Sequence, residues 1–248
     1  MFFMNPESKY EVSIVLPCFH EEESVEEGIK EIYRVMKSTP YSFEIIFVDD
    51  ASKDRTREKI LKVSLEYPDV NYLLQQENTG RGKAFINGAK IAKGKIIGFL
   101  DVDLEVSATS LPDVIKEIEN GSDVCIVKRN YAIKWYPEFL LRHSASVIYK
   151  RLVWSILNMP KLDTETGFKF FKKETLFKLL EKVESPGWFF DTEIMCLACY
   201  GKFQIAQVDG DYKKNPKKSS TVNLFSDSIR QFASALSYRK KLKKMFPQ

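Results

Sequence analysis

The feature that most constrains this fold is a regular alternation of short apolar runs with segments of helical periodicity. "VSIVLP" and "FEIIFVDD" have the length and composition of buried strands. Between them, "EEESVEEGIKEIYRVMK" places apolar residues at spacings of four, three and four: Val25, Ile29, Ile32 and Met36. The alternation continues through "VNYLLQQ", "KIIGFLD" and "DVCIVK" to about Arg129. Strands that are apolar throughout, joined by helices, predict an α/β fold with a central, mostly parallel sheet covered on both faces.

Charge is distributed unevenly along this chain. The 248 residues are 44% hydrophobic, which suits one enzyme-sized domain. Residues 205–248 contain ten basic and three acidic side chains, a net +7, so the preceding 204 residues carry −3. A basic tail favours an anionic surface as partner, either lipid headgroups or nucleic acid, although solvated basic tails are also common.

The sequence shows neither a leader segment nor a membrane span. "MFFMNPESKYE" has no apolar core of signal-peptide length, and no run of about 20 apolar residues is present. We therefore expect the chain to stay in the cytosol. Cys18 and Cys125 fall in apolar runs, and Cys196 and Cys199 form a C-x-x-C in a helical segment without a second pair, so all four are expected to be structural.

Acidic residues follow three of the predicted strands. Glu21 comes after the first strand, Asp49 and Asp50 end the second, and "GFLDVDLE" ends the fourth. Ligands bind beyond the carboxyl ends of the strands in such sheets, so these carboxylates should meet at one edge. A divalent cation would offset their repulsion. On its own, the alternation in "GFLDVDLE" fits an exposed strand end equally well.

The common nucleotide-binding glycine motifs are absent. Neither G-x-G-x-x-G nor G-x-x-x-x-G-K-[ST] follows the first strand. Gly80 and Gly82 form a G-x-G after the third strand, but the third glycine is missing. A tight turn and close packing explain these two glycines without a ligand.

Five stretches together resemble a known family. "VSIVLPCFHEEESV", "EIIFVDDASKDRT", "NTGRGKAFINGA", "GFLDVDLE" and "DTETGFKFFKKE" are similar to the successive motifs of the family 2 glycosyltransferases. The nearest likeness is to the polyprenyl-phosphate branch, the dolichol-phosphate mannose synthases and their bacterial relatives. The likeness covers residues 12–222 and implies the GT-A fold, a Rossmann-like architecture for nucleotide-diphospho-sugar transferases.

The resemblance implies a metal site at the end of the fourth strand. It gives Asp101 and Asp103 to Mg²⁺ or Mn²⁺, with Glu105 as third ligand where relatives often carry Gln. Alternate residues of an extended segment point the same way, so the three should converge with Val102 and Leu104 turned away. The ion would neutralise charge growing on the departing nucleoside diphosphate.

The resemblance also implies a site for the nucleotide-sugar donor, GDP-mannose or UDP-glucose. Its residues here are Pro17, Phe19, Glu21, Val48, Asp49, Asp50, Asp101, Val102, Asp103 and Arg129. Phe19 and His20 depart from the usual tyrosine and asparagine, which removes one polar contact. Asp163 and Thr166 match a turn that borders the sugar in relatives.

The implied acceptor is a polyprenyl or dolichyl phosphate. Arg129, Arg142 and Ser146 match the residues that bind its phosphate, and Arg142 and Ser146 share one helix face. Such a phosphate is already ionised near pH 7, so it needs no strong base, and in-line attack would invert the anomeric carbon. Asp191 joins Asp101, Asp103 and Arg129 as a catalytic residue with a positioning role.

Two other functions remain open from the sequence. Asp191 could act as the base for a saccharide hydroxyl acceptor, which would be a different transferase reaction. Alternatively, the chain could be an inactive module that only binds a nucleotide sugar. The intact Asp101, Asp103 and Glu105 argue against the inactive module.

We divide the chain into a catalytic domain, residues 1–210, and a basic C-terminal segment, residues 211–248. Within the first, residues 137–158 form an amphipathic helix that either lies in a membrane interface or packs on the core. The second ends in an amphipathic helix with Phe225, Ile229, Phe232 and Leu236 on one side, and Lys213, Lys214, Lys217 or Lys218 could face the donor diphosphate. The expected partners are a membrane surface or a small membrane-anchoring subunit, not nucleic acid, so the protein should be peripheral on the cytoplasmic face.

Overall fold

The computed structural model describes residues 9–131, 151–187, 189–213 and 224–246. Its strands are β1 (Val12–Cys18), β2 (Phe43–Asp49), β3 (Val70–Leu74), β4 (Ile96–Leu100), β5 (Val124–Tyr131), β6 (Phe168–Lys172) and β7 (Ile205–Tyr212). Its helices are α1 (Val25–Lys37), α2 (Thr56–Glu66), α3 (Arg81–Ile91), α4 (Leu111–Glu119), α5 (helical residues 151–157), α6 (Lys173–Leu180), α7 (Phe190–Tyr200) and α8 (Leu224–Met245). A short 3₁₀ helix, Ala108–Ser110, precedes α4.

The seven described strands form one sheet in the order β3-β2-β1-β4-β6-β5-β7. The pairs β1–β2, β1–β4, β2–β3 and β5–β7 are parallel. β6 runs antiparallel to both β4 and β5. The predicted α/β fold with a mostly parallel sheet is therefore confirmed.

The sheet separates two hydrophobic layers. Side chains alternate between its faces, so Ile14 of β1 packs in one layer and Val15 in the other. The first layer lies under α1 and α4, and includes Ile29 and Ile115. The second layer lies under α3 and α7, and includes Phe85 and Ile194. Burial on both faces explains why the strands are apolar throughout.

The apolar face predicted for α1 is buried, and α2 is buried less deeply. The four apolar residues predicted for α1 are fully buried: Val25, Ile29, Ile32 and Met36. In α2, Ile60 and Val63 are buried, whereas Leu61 and Leu65 are 37% and 89% exposed. α2 packs beside the edge strand β3, where little of the helix surface finds a partner.

The C-terminal residues are part of the same folded unit. β7 pairs with β5 along its whole length, so the predicted division between residues 210 and 211 falls inside a strand. In α8, Tyr238 and Leu242 are buried, and the Tyr238 ring meets the Phe189 ring at 5.6 Å. Leu236, from the predicted apolar side of this helix, is 43% exposed. α8 therefore packs on the domain through a face that the sequence did not indicate.

Part of the predicted acceptor and membrane surface lies outside the described residues. This applies to Arg142 and Ser146, to most of the helix predicted over 137–158, and to the lysines at 214, 217 and 218. In α5, Val153 and Leu157 are buried, whereas Leu152 is 45% exposed. Within the described ranges, no helix combines the length and apolar character needed to cross a bilayer.

Candidate active site

Three loops at the carboxyl edge of the sheet contain residues with left-handed backbone. His20 follows β1 with φ 56°, Ala51 follows β2 with φ 60°, and Leu104 follows β4 with φ 51°. Residues other than glycine rarely adopt this conformation, and those that do cluster at functional sites. The strand ends that carry the predicted acidic residues are therefore also where the backbone is conformationally strained.

The acidic segment after β4 is a turn. β4 ends at Leu100, and the backbone N–H of Leu104 donates to the Asp101 carbonyl at 3.1 Å. The prediction that an extended segment aims Asp101, Asp103 and Glu105 in one direction is therefore wrong in its geometry. Within this turn, the Val102 side chain is 2% exposed and packs into the core beneath α1.

A glycine makes room for the Asp101 carboxylate. Gly167 precedes β6, and its carbonyl accepts the Asp101 N–H at 3.1 Å. A Cβ at position 167 would lie 1.6 Å from Oδ2 of Asp101. The Asp101 side chain remains 44% exposed, so it borders open space at the sheet edge.

Arg81 joins Asp101 to Asp191. It opens α3 directly after Gly80, whose φ of 92° favours glycine. Its Nη2 and Nε donate to Oδ1 of Asp101 at 2.6 and 3.2 Å, and its Nη1 donates to Oδ2 of Asp191. The guanidinium lies over the Phe99 ring, 4.9 Å from its centroid. Arg81 is thus fixed between two carboxylates that are far apart in sequence.

Asp191 is held from its other side by a buried lysine. Nζ of Lys169, on β6, donates to Oδ1 of Asp191 at 2.5 Å and to the carbonyl of Thr166. The Lys169 side chain is fully buried and Asp191 is 7% exposed. Both carboxylate oxygens of Asp191 therefore accept hydrogen bonds from cations.

Burial and charge shift the pKa values of this network. Burial lowers the pKa of Lys169, and the Asp191 carboxylate opposes that shift only in part. Burial also acts to lower the pKa of Arg81, but Asp101 and Asp191 outweigh it and raise that pKa. Asp101 keeps an exposed edge, yet the protein atoms packed around its carboxyl raise its pKa, and the Asp103 carboxylate adds to the rise.

Asp49 and Asp50 organise the loops around them. Oδ1 of Asp50 accepts the N–H of Thr79 at 2.8 Å, and Oδ2 accepts that of Gly80 at 2.8 Å. Asp49 is fully buried and accepts from Ser52 N–H at 3.2 Å and Arg57 Nε at 3.3 Å. These carboxylates shape the β2 and β3 ends.

The other residues predicted to bind the nucleotide-sugar donor differ in solvent exposure. Phe19 is 44% exposed and stacks on His20 with ring centroids 4.0 Å apart. Val48 and Val102 have their side chains in the core, so only their backbone borders the edge. Pro17 and Glu21 are half-buried, and the Glu21 N–H donates to Thr56 Oγ1 at 2.7 Å. Phe19 therefore offers an open aromatic face.

Glu105 connects the acidic turn to the end of β7. The Tyr212 hydroxyl donates to Oε2 of Glu105 at 2.8 Å, and the Lys213 N–H donates to the Glu105 carbonyl at 2.7 Å. An antiparallel bridge joins Val106 to Tyr212. The beginning of the basic segment is thus attached to the turn that carries Asp101 and Asp103.

Arg129 is held by the loop before β6. Its Nε and Nη2 donate to the two oxygens of Asp163 at 2.8 and 2.7 Å, and Glu165 lies 3.7 Å from Nη2. Thr166 in the same loop is fully buried. The structure therefore places Arg129 against the loop that contains Asp163 and Thr166.

The carboxylate oxygens at this edge suit a divalent cation such as Mg²⁺ or Mn²⁺. The described side chains do not by themselves form a complete set of metal ligands. No group of three or more His, Cys, Asp and Glu side chains is close enough to hold a metal in the described part of the chain. Asp101 and Asp103 nevertheless supply carboxylate oxygens, the ligands that Mg²⁺ and Mn²⁺ prefer. Their repulsion contributes to the raised pKa of Asp101, and a cation would relieve it.

Sequence analysis assigned no role to Arg81 or Lys169. Each left a signal. Arg81 is a cation at a helix N-terminus, where the helix dipole disfavours positive charge. Lys169 is a single charge inside the apolar run "GFKFF", where a lysine must be paired to be buried.

Comparison with known proteins gives consistent matches. The family model described as Glycosyl transferase family 2 matches residues 13–182. Glycosyltransferase AglD of Haloferax volcanii is 27% identical over 227 residues, covering 88% of this chain and 35% of AglD. The human dolichyl-phosphate beta-glucosyltransferase is 28% identical, covering 80% of this chain and 66% of that protein.

A third curated relative and a solved structure also match. The dolichol-phosphate mannosyltransferase of Pyrococcus furiosus is 36% identical over 173 residues, covering 66% of this chain and 47% of that enzyme. The chain thus spans between about a third and two thirds of these three curated relatives. Glucosyl-3-phosphoglycerate synthase from Mycobacterium tuberculosis, solved with Mn²⁺ and UDP-glucose, has a TM-score of 0.69 at 18% identity, covering 94% of this chain and 80% of that one, and so shares the fold.

Proposed function

Because this chain belongs to glycosyl transferase family 2, we propose that it transfers a hexose, glucose or mannose, from a nucleotide-sugar donor to a polyprenyl or dolichyl phosphate. The names of the human and Pyrococcus furiosus relatives support this acceptor class. The two names give different transferred sugars, glucose for the human protein and mannose for the other, so both GDP-mannose and UDP-glucose are candidate donors.

The observation that supports a phosphate acceptor is the pairing of Asp191 with two cationic side chains. Its two carboxylate oxygens accept from Lys169 and Arg81. A general base must take up a proton, and here that would break a buried ion pair. A phosphate acceptor is already anionic and needs no base at this position. The arrangement therefore favours a phosphate acceptor over a saccharide hydroxyl.

On the donor side, Phe19 offers an aromatic face at the end of β1, suited to packing against a base. Asp101 and Asp103 would hold Mg²⁺ or Mn²⁺, with Glu105 as third ligand. The bound ion supplies Lewis-acid neutralisation of the departing diphosphate. Direct attack by the phosphate acceptor would invert the anomeric configuration.

On the acceptor side, Arg129 would contact the phosphate together with Arg142 and Ser146. Asp163 accepts from Nε and Nη2 and so fixes the direction of the Arg129 guanidinium. A lipid-linked acceptor would place the protein on a membrane surface, on the cytoplasmic face in our proposal. The basic C-terminal segment or a small membrane-anchoring subunit would supply the contact.

Transfer of radiolabel tests this proposal. The protein is incubated with labelled GDP-mannose or UDP-glucose, dolichyl or undecaprenyl phosphate, and Mg²⁺ or Mn²⁺. We expect lipid-extractable label with one donor and none with the Asp101→Asn variant. Absence of lipid label with both donors would contradict the proposal. Label in a water-soluble saccharide, lost in Asp191→Asn, would support the hydroxyl acceptor instead, and donor binding without any transfer would support the inactive module.

A further inference from the structure

We propose that Arg81 is the resident cation of the acidic turn: it neutralises Asp101 before a divalent ion binds, and it thereby sets how tightly the site holds that ion. The inference rests on the proposed function only in taking Asp101 as a metal ligand. The inference is tested by metal binding in the absence of donor and acceptor. The metal-binding test can therefore fail while lipid transfer succeeds, and lipid transfer can fail while the metal-binding test succeeds.

The contacts of Arg81 place its charge directly on Asp101. Two guanidinium nitrogens share the single oxygen Oδ1, at 2.6 and 3.2 Å. A metal that binds this carboxylate must either take the other oxygen beside the guanidinium or displace Arg81 from Oδ1. Both routes oppose metal binding, the first through like-charge repulsion and the second through loss of an ion pair.

The surroundings of Arg81 hold it in this position. Its side chain is 14% exposed, and the Phe99 ring supports one face of the guanidinium. The third guanidinium nitrogen, Nη1, donates a hydrogen bond to Asp191, which also accepts one from Lys169. Lys169 and Asp191 thus act as positioning residues through Arg81. Two cations and two carboxylates alternate in this network, so their charges cancel. The order is Lys169, Asp191, Arg81 and Asp101.

This arrangement places a positive charge beside Asp101 before any ion binds. Without Arg81, no guanidinium would bridge the Asp101 and Asp191 carboxylates. Arg81 therefore neutralises the charge of Asp101 in the metal-free protein. The same charge lowers the affinity for a divalent ion.

Binding of Mn²⁺ to the full chain, followed by electron paramagnetic resonance, tests the inference. We expect Arg81→Met to bind Mn²⁺ about tenfold more tightly than the wild type, because a nearby positive charge is removed. Arg81→Lys keeps the charge and should stay within about threefold of the wild type. Arg239→Met, which removes an exposed arginine on α8, is the matched control and should leave the affinity unchanged. Unchanged or weaker binding in a folded Arg81→Met would overturn the proposal.

A second variant and a measurement on the unmodified protein cover a failure of Arg81→Met to fold. Arg81→Gln is neutral but keeps an amide donor for Asp101, and it should also bind Mn²⁺ more tightly. In the wild type, the ¹⁵Nε signal of Arg81, assigned by its loss in Arg81→Lys, should shift as Mg²⁺ is added and saturate with metal occupancy. A signal that does not move while Mg²⁺ binds would contradict a role for Arg81 at the metal.

Discussion

The hydroxyl of Tyr212 lies 2.8 Å from Oε2 of Glu105 and donates a hydrogen bond to it. This contact holds the proposed third metal ligand from the end of β7. Loss of a partner that orients a ligating carboxylate typically lowers metal affinity by about 10- to 100-fold.

Tyr212→Phe should therefore weaken Mn²⁺ binding about tenfold while leaving the melting temperature nearly unchanged. Isothermal titration measures the affinity. Tyr72→Phe removes a hydroxyl from a 44% exposed side chain on the edge strand and serves as control. Equal affinities in the two variants would show that Glu105 does not ligate the ion.

Gly167→Ala should displace the Asp101 carboxylate, because the new Cβ would lie 1.6 Å from its Oδ2. We expect a folded protein with Mn²⁺ affinity reduced at least about tenfold, since Asp101 can rotate toward solvent but then leaves the site. Calorimetry and a thermal melt measure both properties. Gly187→Ala is the control, because no atom lies within 4 Å of its added Cβ. Normal metal binding by Gly167→Ala would contradict the position of Asp101.

Lys169→Met should reduce the free energy of unfolding by about 3 kcal/mol, because it removes one partner of a buried pair. Urea denaturation measures this, and a double-mutant cycle with Asp191→Asn separates the coupling from the single losses. Additive losses in the cycle would mean that the two side chains do not interact.

The same lysine predicts a pH dependence. The folded-state pKa of Lys169 is lowered, so between that value and 10.5 the unfolded chain holds the extra proton. Wild-type stability should therefore gain from this group as pH rises through that window. In Lys169→Met this gain should be absent, which urea midpoints at several pH values can measure. Parallel curves for the two proteins would contradict the lowered pKa.

Cys199 should react slowly with iodoacetamide, because partial burial raises its pKa to about 11. Only the thiolate reacts, so its rate at pH 8 should be about a hundredfold below that of an ordinary exposed cysteine. The rate should also keep rising about tenfold per pH unit up to pH 10. Mass spectrometry of labelled peptides measures this. A rate that levels off near pH 9 would show an unperturbed thiol.

The acidic strand ends could be recognised from the sequence because the alternation of strands and helices is a local pattern. Asp49 and Asp101 lie where the alternation of strands and helices places them. The direction of β6 could not be read in this way, since "FKFFK" is equally compatible with a parallel or an antiparallel neighbour. Long-range packing decides that direction.

The cations of the site were missed for the same reason. Arg81 and Asp191 are 110 residues apart, and Lys169 meets Asp191 across 22. No periodicity connects such positions. The turn at Asp101 was also missed, because the alternation in "GFLDVDLE" fits an extended segment equally well. Sequence patterns indicate which elements form, whereas pairing between distant charges depends on how those elements pack.

The left-handed residues His20, Ala51 and Leu104 have a consequence for engineering this protein. Each holds a backbone conformation that costs roughly 1 kcal/mol in a residue with a Cβ. Glycine at Ala51 would remove that penalty in the folded chain but widen the conformational range of the loop beside Asp49 and Asp50. Replacing these residues with glycine could therefore raise the thermal stability of the protein, but it would make the loops at this edge of the sheet less ordered.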